Sequence, residues 1–373
     1  MLSNDPPAPD VVEVSIFGPG KGECILVHLG HGKWIVVDSC VDQQDNSIPV
    51  IEYLKHLNVS IESDVLMILG THAHDDHIAG ISRVLNECTS AFFGCSSALI
   101  GEDFISVLEQ DYQAELNLRK SAYSEFRKVQ EIANSRHKAN QGRRYMRRVV
   151  EDYPLINLEW PNGFKSTVTA LSPSHEAVTR ALRNLAKVTV DVGKPRRPFR
   201  GDPNECSVAL WIEALDKRIL LGADLLKGPS GCGWAGILSS FKPSECASLF
   251  KVPHHGAPNA DEVKVWDQLL VPESPVALLA PFRGGHRARP DAADRARITA
   301  RTRHAFITAS PDVPAPGKVT RRRKAELGHL AVNAREPWGR VGQVRARSQL
   351  GEVEWKIDLL PPARTLQASG RRR

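Results

Sequence analysis

His72, His74, Asp76 and His77 stand together in the string THAHDDHIAG, Thr71 to Gly80. Three imidazoles and a carboxylate crowded into six residues are donors that a divalent cation takes, since neutral imidazole nitrogens with carboxylate oxygens suit zinc, manganese or iron. A polar surface loop rich in histidine is the plain alternative, but the flanks point to a built site. Upstream, DVLMILG from Asp64 to Gly70 is a short apolar run of the buried-strand kind. Downstream, His77 to Cys88 predicts a helix with Ile78, Ile81 and Leu85 on one face. The cluster therefore falls on a strand-to-helix turn. Residues two apart in an extended segment share a face, so His72 and His74 aim at one point, and Asp76 and His77 aim at a neighbouring one.

The HxHxDH spacing resembles the signature of the metallo-β-lactamase superfamily. The resemblance implies an α/β fold, an αββα sandwich, with two divalent metal ions, Zn2+ or Mn2+, at a binuclear site. By itself Asp224, just after the apolar strand Ile219 to Leu221 in KRILLGADLL, reads as a turn residue or helix N-cap. Its order after HxHxDH makes it similar to the superfamily's LxxGD element, whose aspartate bridges the ions, with Ala223 inserted after Gly222. The segment LFKVPHHGAPNAD, Leu249 to Asp261, then ends a short strand in His254, His255 and Gly256. The resemblance implies His72 and His74 on the first ion, Asp76, His77 and His254 on the second, and Asp224 between them. Asp76 would also orient the attacking water. His255 is a candidate catalytic residue that donates to a phosphate or leaving group, or else orients its neighbour. Lys251 is a second candidate for neutralising the phosphate.

The N-terminal run EVSIFGPGKGECILVHLGHGKWIVVDS predicts strands over Val12 to Phe17, Cys24 to Leu29 and Trp34 to Asp38, separated by glycine-rich turns. It resembles the opening of the ComEC/Rec2-like branch, which reads GxGD or GxGE where this chain has Gly20, Lys21, Gly22 and Glu23. In that resemblance Asp38 supports the metal turn without ligating. LSPSH, Leu171 to His175, and NECSVALWI, Asn204 to Ile212, extend the likeness to about Thr308. One member is missing. A full site takes a third histidine for the first ion from between the HxHxDH turn and the bridging aspartate, and only His137 and His175 lie there. His137 falls in a charged helical stretch and His175 after a strand, with Asn204, Ser207 or solvent as other occupants of the open position.

The remaining sequence bounds the elements that must hold this turn. A chain of 373 residues with 42% hydrophobic residues can bury a full core. No run approaches the roughly 18 apolar residues of a membrane helix, and the N-terminus lacks a basic, apolar leader. Seven cysteines without CxxC spacing fit a reducing, cytoplasmic setting and not a disulfide framework. We expect a hydrolase domain over 11–309 with a helical insertion at about 102–151. A basic linker at 310–325 should follow, then an extension over 326–373 with a β-hairpin within Gly339 to Leu360. Charge is lopsided, since residues 281–373 hold 21 Lys or Arg against 8 Asp or Glu, and Arg119 to Arg148 hold 10 against 2. Basic faces attract polyanions, although such residues also solubilise exposed helices. Tyr123, Phe126 and Tyr145 either stack on bases or form a buried stripe. The expected function is a metal-dependent phosphodiesterase, a nuclease acting on DNA or RNA, with no membrane partner. The alternatives are hydrolysis of a small ester, thioester, lactone or cyclic nucleotide, and a non-catalytic nucleic-acid-binding module.

Overall fold

Apolar runs dense in Val, Ile and Leu become strands buried on both faces. The computed structural model describes residues 5–99, 120–140, 144–161, 163–189, 202–283, 288–312 and 340–368. Its strands are β1 (Val11–Gly18), β2 (Cys24–His28), β3 (Trp34–Asp38), β4 (Val65–Gly70), β5 (Phe92–Ser96), β6 (Met146–Val149), β7 (Tyr153–Glu159) and β8 (Lys165–Ala170). The chain continues through β9 (Leu210–Ala214), β10 (Lys217–Leu221), β11 (Leu249–Lys251), β12 (Val276–Leu279), β13 (Ala305–Ile307), β14 (Gly342–Gln349), β15 (Lys356–Leu360) and β16 (Arg364–Thr365). One mixed sheet has the order β15-β14-β1-β2-β3-β4-β5-β6 and the other β16-β13-β12-β11-β10-β9-β8-β7. In each sheet the middle strands switch from antiparallel to parallel pairing, at β3–β4 and at β10–β11.

The period of two along each strand builds the layers. Ile35 and Val37 of β3 face the space between the sheets, where they join Leu210, Ile212, Ile219 and Leu278 of the second sheet. The alternate residues Trp34 and Val36 face outward onto helices α1 (Pro49–His56), α2 (Ile61–Asp64) and α4 (Ile81–Glu87) through Leu54, Ile61 and Val84. The second sheet is covered likewise. Trp211, Leu220 and Phe250 pack on α7 (Gly233–Ser240), α8 (Val263–Gln268) and α9 (Ala292–Thr299) through Trp234, Trp266 and Ile298. The result is the α/β sandwich, αββα, that the resemblance implies. Among the described residues no helix is long and apolar enough to cross a membrane.

Three segments differ from the sequence reading. The helix expected from His77 to Cys88 is two pieces, α3 (Asp75–Ile78) and α4, parted by Gly80 at φ 76°. A side chain there would meet Ile48 and Val41 at 2.6 and 2.9 Å, so only glycine lets the turn close. Of the helical insertion expected at about 102–151, residues 102–119 lie outside the described residues; what is described holds α5 (Lys120–Ala139) and ends in strand β6, parallel to β5. The hairpin near the C-terminus forms as β14–β15 and lies inside the first sheet, with β14 pairing β1 from Val11↔Gln349 to Gly18↔Gly342. The linker at 310–325 falls almost wholly outside the described residues.

Candidate metal centre

The clustered histidines and aspartates follow the carboxyl ends of strands in the parallel halves of the two sheets. Asp38 ends β3, Thr71 follows β4, Asp224 follows β10, His254 and His255 follow β11, and Ala280 follows β12. Open α/β sheets bind ligands at such ends because connecting loops from neighbouring strands converge there. Asp38 fixes the HxHxDH turn, accepting from Thr71 N and Thr71 Oγ1 at 2.8 Å each and from His77 Nδ1 at 2.7 Å. The glycine-rich β1–β2 loop clamps it from the other side, Glu23 N donating to Asp76 O at 2.9 Å. Gly22 sits so close that a Cβ would lie 2.6 Å from that same carbonyl oxygen.

The centre of the cluster is one carboxylate oxygen. Asp224 Oδ2 lies 3.3 Å from His77 Nε2, 3.7 Å from His255 Nε2, 3.9 Å from His72 Nε2 and 4.0 Å from His254 Nε2. His74 Nδ1 is 3.1 Å from His72 Nε2, and Asp76 Oδ2 is 3.3 Å from His255 Nε2. His72, His77, Asp224 and His255 are buried, whereas the side chains of Asp76 and His254 are 25% and 24% exposed and form the mouth.

The outward nitrogens of four of these imidazoles are held by the protein. His77 Nδ1 donates to Asp38, His255 Nδ1 to Ala280 O at 3.0 Å, and His254 Nδ1 to Asn259 Oδ1 at 3.1 Å. His72 Nδ1 faces the hydroxyls of Thr71 and Ser207 at 3.0 and 3.2 Å. Such outer partners fix ring orientation and tautomer and leave the inner nitrogen for a ligand. Among the described residues His77 Nε2, 3.3 Å from Asp224 Oδ2, is buried without a hydrogen bond, a costly state that a cation relieves. The donor set therefore fits divalent metal, and His72, His77 and Asp224 on one hand, and Asp76, His77 and His255 on the other, each bring three ligand atoms together.

The charges follow from the same crowding. Burial, with the neighbouring imidazoles, pushes His72 well below the ordinary histidine range, and burial likewise pushes His74 and His254 down. Burial opposes charge on His77 and His255 too. There, however, Asp224 with Asp38 or Asp76 prevails and raises both. Burial would lift Asp224 and Asp76, yet the facing imidazoles hold both below the usual carboxylate range.

The structure distributes the two adjacent histidines differently from the sequence reading. His255, expected to donate to a phosphate or leaving group or else to orient its neighbour, lies against Asp76 and His77, while His254, expected there, lies on the side of Asn204 and Asn259. The cause is backbone. Both residues are left-handed, at φ 49° and 52°, at a cost of roughly 1–2 kcal/mol each. That geometry turns the two rings to different sides of Asp224, their planes 57° apart. His254 N, donating to Ala223 O at 3.0 Å, helps hold it.

Other candidates are placed as plainly. Lys251 is 1% exposed behind Asp224 and does not reach the mouth. His175 is exposed at the start of helix α6 (His175–Thr189), its backbone N–H bound to Glu151, and His137 is exposed on α5. Ser207 stands behind His72, and Asn204 is 3.4 Å from His254 Nε2. Two arginines of the basic stretch are engaged within the fold, whereas Arg127, Lys128, Lys138, Arg144 and Arg148 are exposed. Arg136 caps the end of α4 by donating to the carbonyls of Leu85 and Cys88, and Arg147 lies 3.7 Å over the Phe92 ring. Phe126 packs on Phe93 and Tyr145 is buried, which makes them the buried stripe; the side chain of Tyr123 lies outside the described residues. Glu23 and Asn259 went unassigned in the sequence. Glu23 stood in a quoted glycine motif, while nothing distinguished Asn259.

No family model matches this chain, and no curated protein does. Solved structures do show likeness. The metallo-β-lactamase fold protein YhfI from Bacillus subtilis is 15% identical, over 65% of this chain and 70% of that one, with a TM-score of 0.30. Metallo-β-lactamase SMB-1, bound to 2-mercaptoethanesulfonate, is 14% identical over 68% and 83%, with a TM-score of 0.34. MEM-A1, a subclass B3 metallo-β-lactamase from a soil metagenome library, is 16% identical over 88% and 87%, with a TM-score of 0.31.

Proposed function

We propose that this chain is a metal-dependent hydrolase that uses two divalent cations, Zn2+ or Mn2+, to cleave phosphodiesters, with nucleic acid as the substrate class. The observation that carries the proposal is the convergence of four imidazole nitrogens on Asp224 Oδ2, with His74 and Asp76 beside them. In this reading His72, His74 and Asp224 hold the first ion, and Asp76, His77, His255 and Asp224 hold the second. His254 Nε2, also facing Asp224, is the candidate for the place left open beside His72 and His74.

Bound there, two cations supply a water of lowered pKa and stabilise charge on the phosphoryl and leaving oxygens. The chain's own groups do the rest. Asp76, partly exposed and fixed by His255, stands at the mouth where it can accept a proton from water and orient it. Asp38 and Thr71 keep the histidine turn rigid, so the donors need not reorganise during reaction. His72, His77, Asp224 and His255 are buried, so water meets the cluster where Asp76 and His254 are partly exposed. The phosphodiester preference draws on the GPGKGE and NECSVALWI strings, which resemble the ComEC-like branch.

The test is a side-by-side assay of single-stranded DNA, a cyclic nucleotide and a lactone with Mn2+ or Zn2+. We expect metal-dependent cleavage of the phosphodiesters and its loss in Asp224→Ala with the fold intact. Turnover of the lactone alone would move the assignment to small esters; nucleic-acid binding without turnover under either metal would make the chain a binding module.

A further inference from the structure

Behind the ligand face, Lys251 and Glu23 form an ion pair in which both side chains are 1% exposed. Lys251 ends β11 in the second sheet, in register with Leu221 and Leu278, and Glu23 comes from the β1–β2 loop of the first. The ammonium donates to Ala223 O at 2.8 Å and lies 3.6 Å from Asp224 Oδ1, the oxygen turned away from the histidines. Glu23 in turn reaches under the ligands, 3.5 Å from His255 Nδ1 and 3.8 Å from His77 Nδ1. A buried pair of this kind is weak grounds for stability, because apolar residues of similar volume often serve as well or better. Its position beside the bridging carboxylate suggests a different use.

The use follows from counting charge. Among the described residues, Glu23, Asp38, Asp76 and Asp224 are the carboxylates in ion-pair contact with the clustered histidines, Asp202 standing farther off and exposed, and Lys251 is the ammonium that pairs with Glu23 and Asp224. Three negative charges remain, and two divalent cations turn them into one positive charge. We propose that Lys251 sets this single surplus charge, so that the loaded site selects a monoanionic ester of the phosphodiester kind over a neutral one such as a lactone. The inference rests on the two-cation reading above. Without the ammonium the loaded site is neutral; without Glu23 it is doubly positive. Lys251 also faces Asp224 Oδ1 at 3.6 Å, while the histidines gather on Oδ2. Neither residue touches substrate, so both are positioning residues that act through Asp224, His77 and His255.

The sign of the effect separates this role from a merely structural one. Calorimetry would measure Zn2+ stoichiometry and affinity, and then inorganic phosphate binding to the zinc-loaded protein, for wild type, Lys251→Met, Glu23→Gln and the double variant. Removing one charge at this range shifts phosphate affinity by about tenfold or more. Lys251→Met should weaken phosphate and bind Zn2+ at least as tightly, Glu23→Gln should do the reverse, and the double variant should return both toward wild type. If Lys251→Met does not fold, the direction of change in Glu23→Gln decides. Phosphate affinity unmoved in a zinc-loaded variant, or zinc and phosphate weakened together in both single variants, overturns the inference alone. Wild-type protein that takes up no Zn2+ overturns the two-cation reading as well.

Discussion

His255 Nε2 lies 3.3 Å from Asp76 Oδ2, across 179 residues of sequence, while its neighbour His254 has Asn204 within 3.4 Å instead. Two identical side chains in adjacent positions thus serve different parts of one cluster.

Their substitution should separate them. His255→Ala removes a nitrogen shared between Asp76 and Asp224, and we expect the loss of about one equivalent of bound metal and a fall in hydrolysis of 100-fold or more, about 3 kcal/mol. His254→Ala should retain the ion at Asp76 and His77 and weaken the other. Elemental analysis after dialysis, with Co2+ absorption spectra, would tell the two apart; equal losses in both variants would sink the assignment.

Metal uptake should be tied to pH. Without cations, burial disfavours charge on His77 and His255, but the carboxylates Asp224, Asp38 and Asp76 outweigh it and raise both. Ligation requires neutral imidazole, so binding must expel protons at neutral pH and tighten as pH rises. The linkage sign for metal-free protein follows. A raised histidine contributes stability that is fully present below its unfolded value near 6.5 and is lost as pH rises through its folded value. The metal-free protein should therefore lose thermal stability above about pH 6.5, and loading with Zn2+ should reverse the trend. Titration calorimetry in buffers of different ionisation enthalpy would count the protons, and no release at pH 7 would contradict the scheme.

Another histidine should act in the opposite direction. His28 is buried on β2, donating from Nδ1 to Val11 O at 2.7 Å and accepting at Nε2 from Gly32 N at 2.9 Å. Both nitrogens are used by the neutral ring, and burial lowers the pKa from 6.5 to about 4. The unfolded chain takes the proton first, so this contribution is intact above about pH 6.5 and is lost as pH falls toward 4, at a cost on the order of 3 kcal/mol. Urea unfolding across that range should show the decline, and His28→Gln, though less stable at neutral pH, should flatten it. An equally steep decline in the variant would assign the acid sensitivity elsewhere.

Much of the architecture was written in local pattern. Strands β1, β3, β4 and β10 are apolar runs closed by glycine or aspartate, and their buried faces leave little choice of partner. The HxHxDH turn was legible because its donors lie within one turn of chain. What escaped was set by conformation and by distance along the chain. Nothing in the letters PHHG tells which ring turns toward Asp76, because that depends on two left-handed residues in succession. Lys251 looked available to a phosphate until Glu23, from the other sheet, was seen to hold it. Arg136 and Arg147 looked like part of a polyanion platform, and packing gave them to carbonyls and a ring instead. The pairing of β14 with β1 joins residues more than 300 positions apart, beyond the reach of any periodicity.

That last pairing has a consequence for how the molecule is made. β1 leads directly into the loop where Gly22 and Glu23 grip the histidine turn, yet one of its two edges stays open until Gly342–Gln349 arrives. Closing so long a span is slow, because the entropy of ordering comes before the contacts that reward it. During synthesis the histidine turn is thus complete in sequence long before the sheet beneath it is, and the loop that grips it leans on a strand made more than 300 residues later.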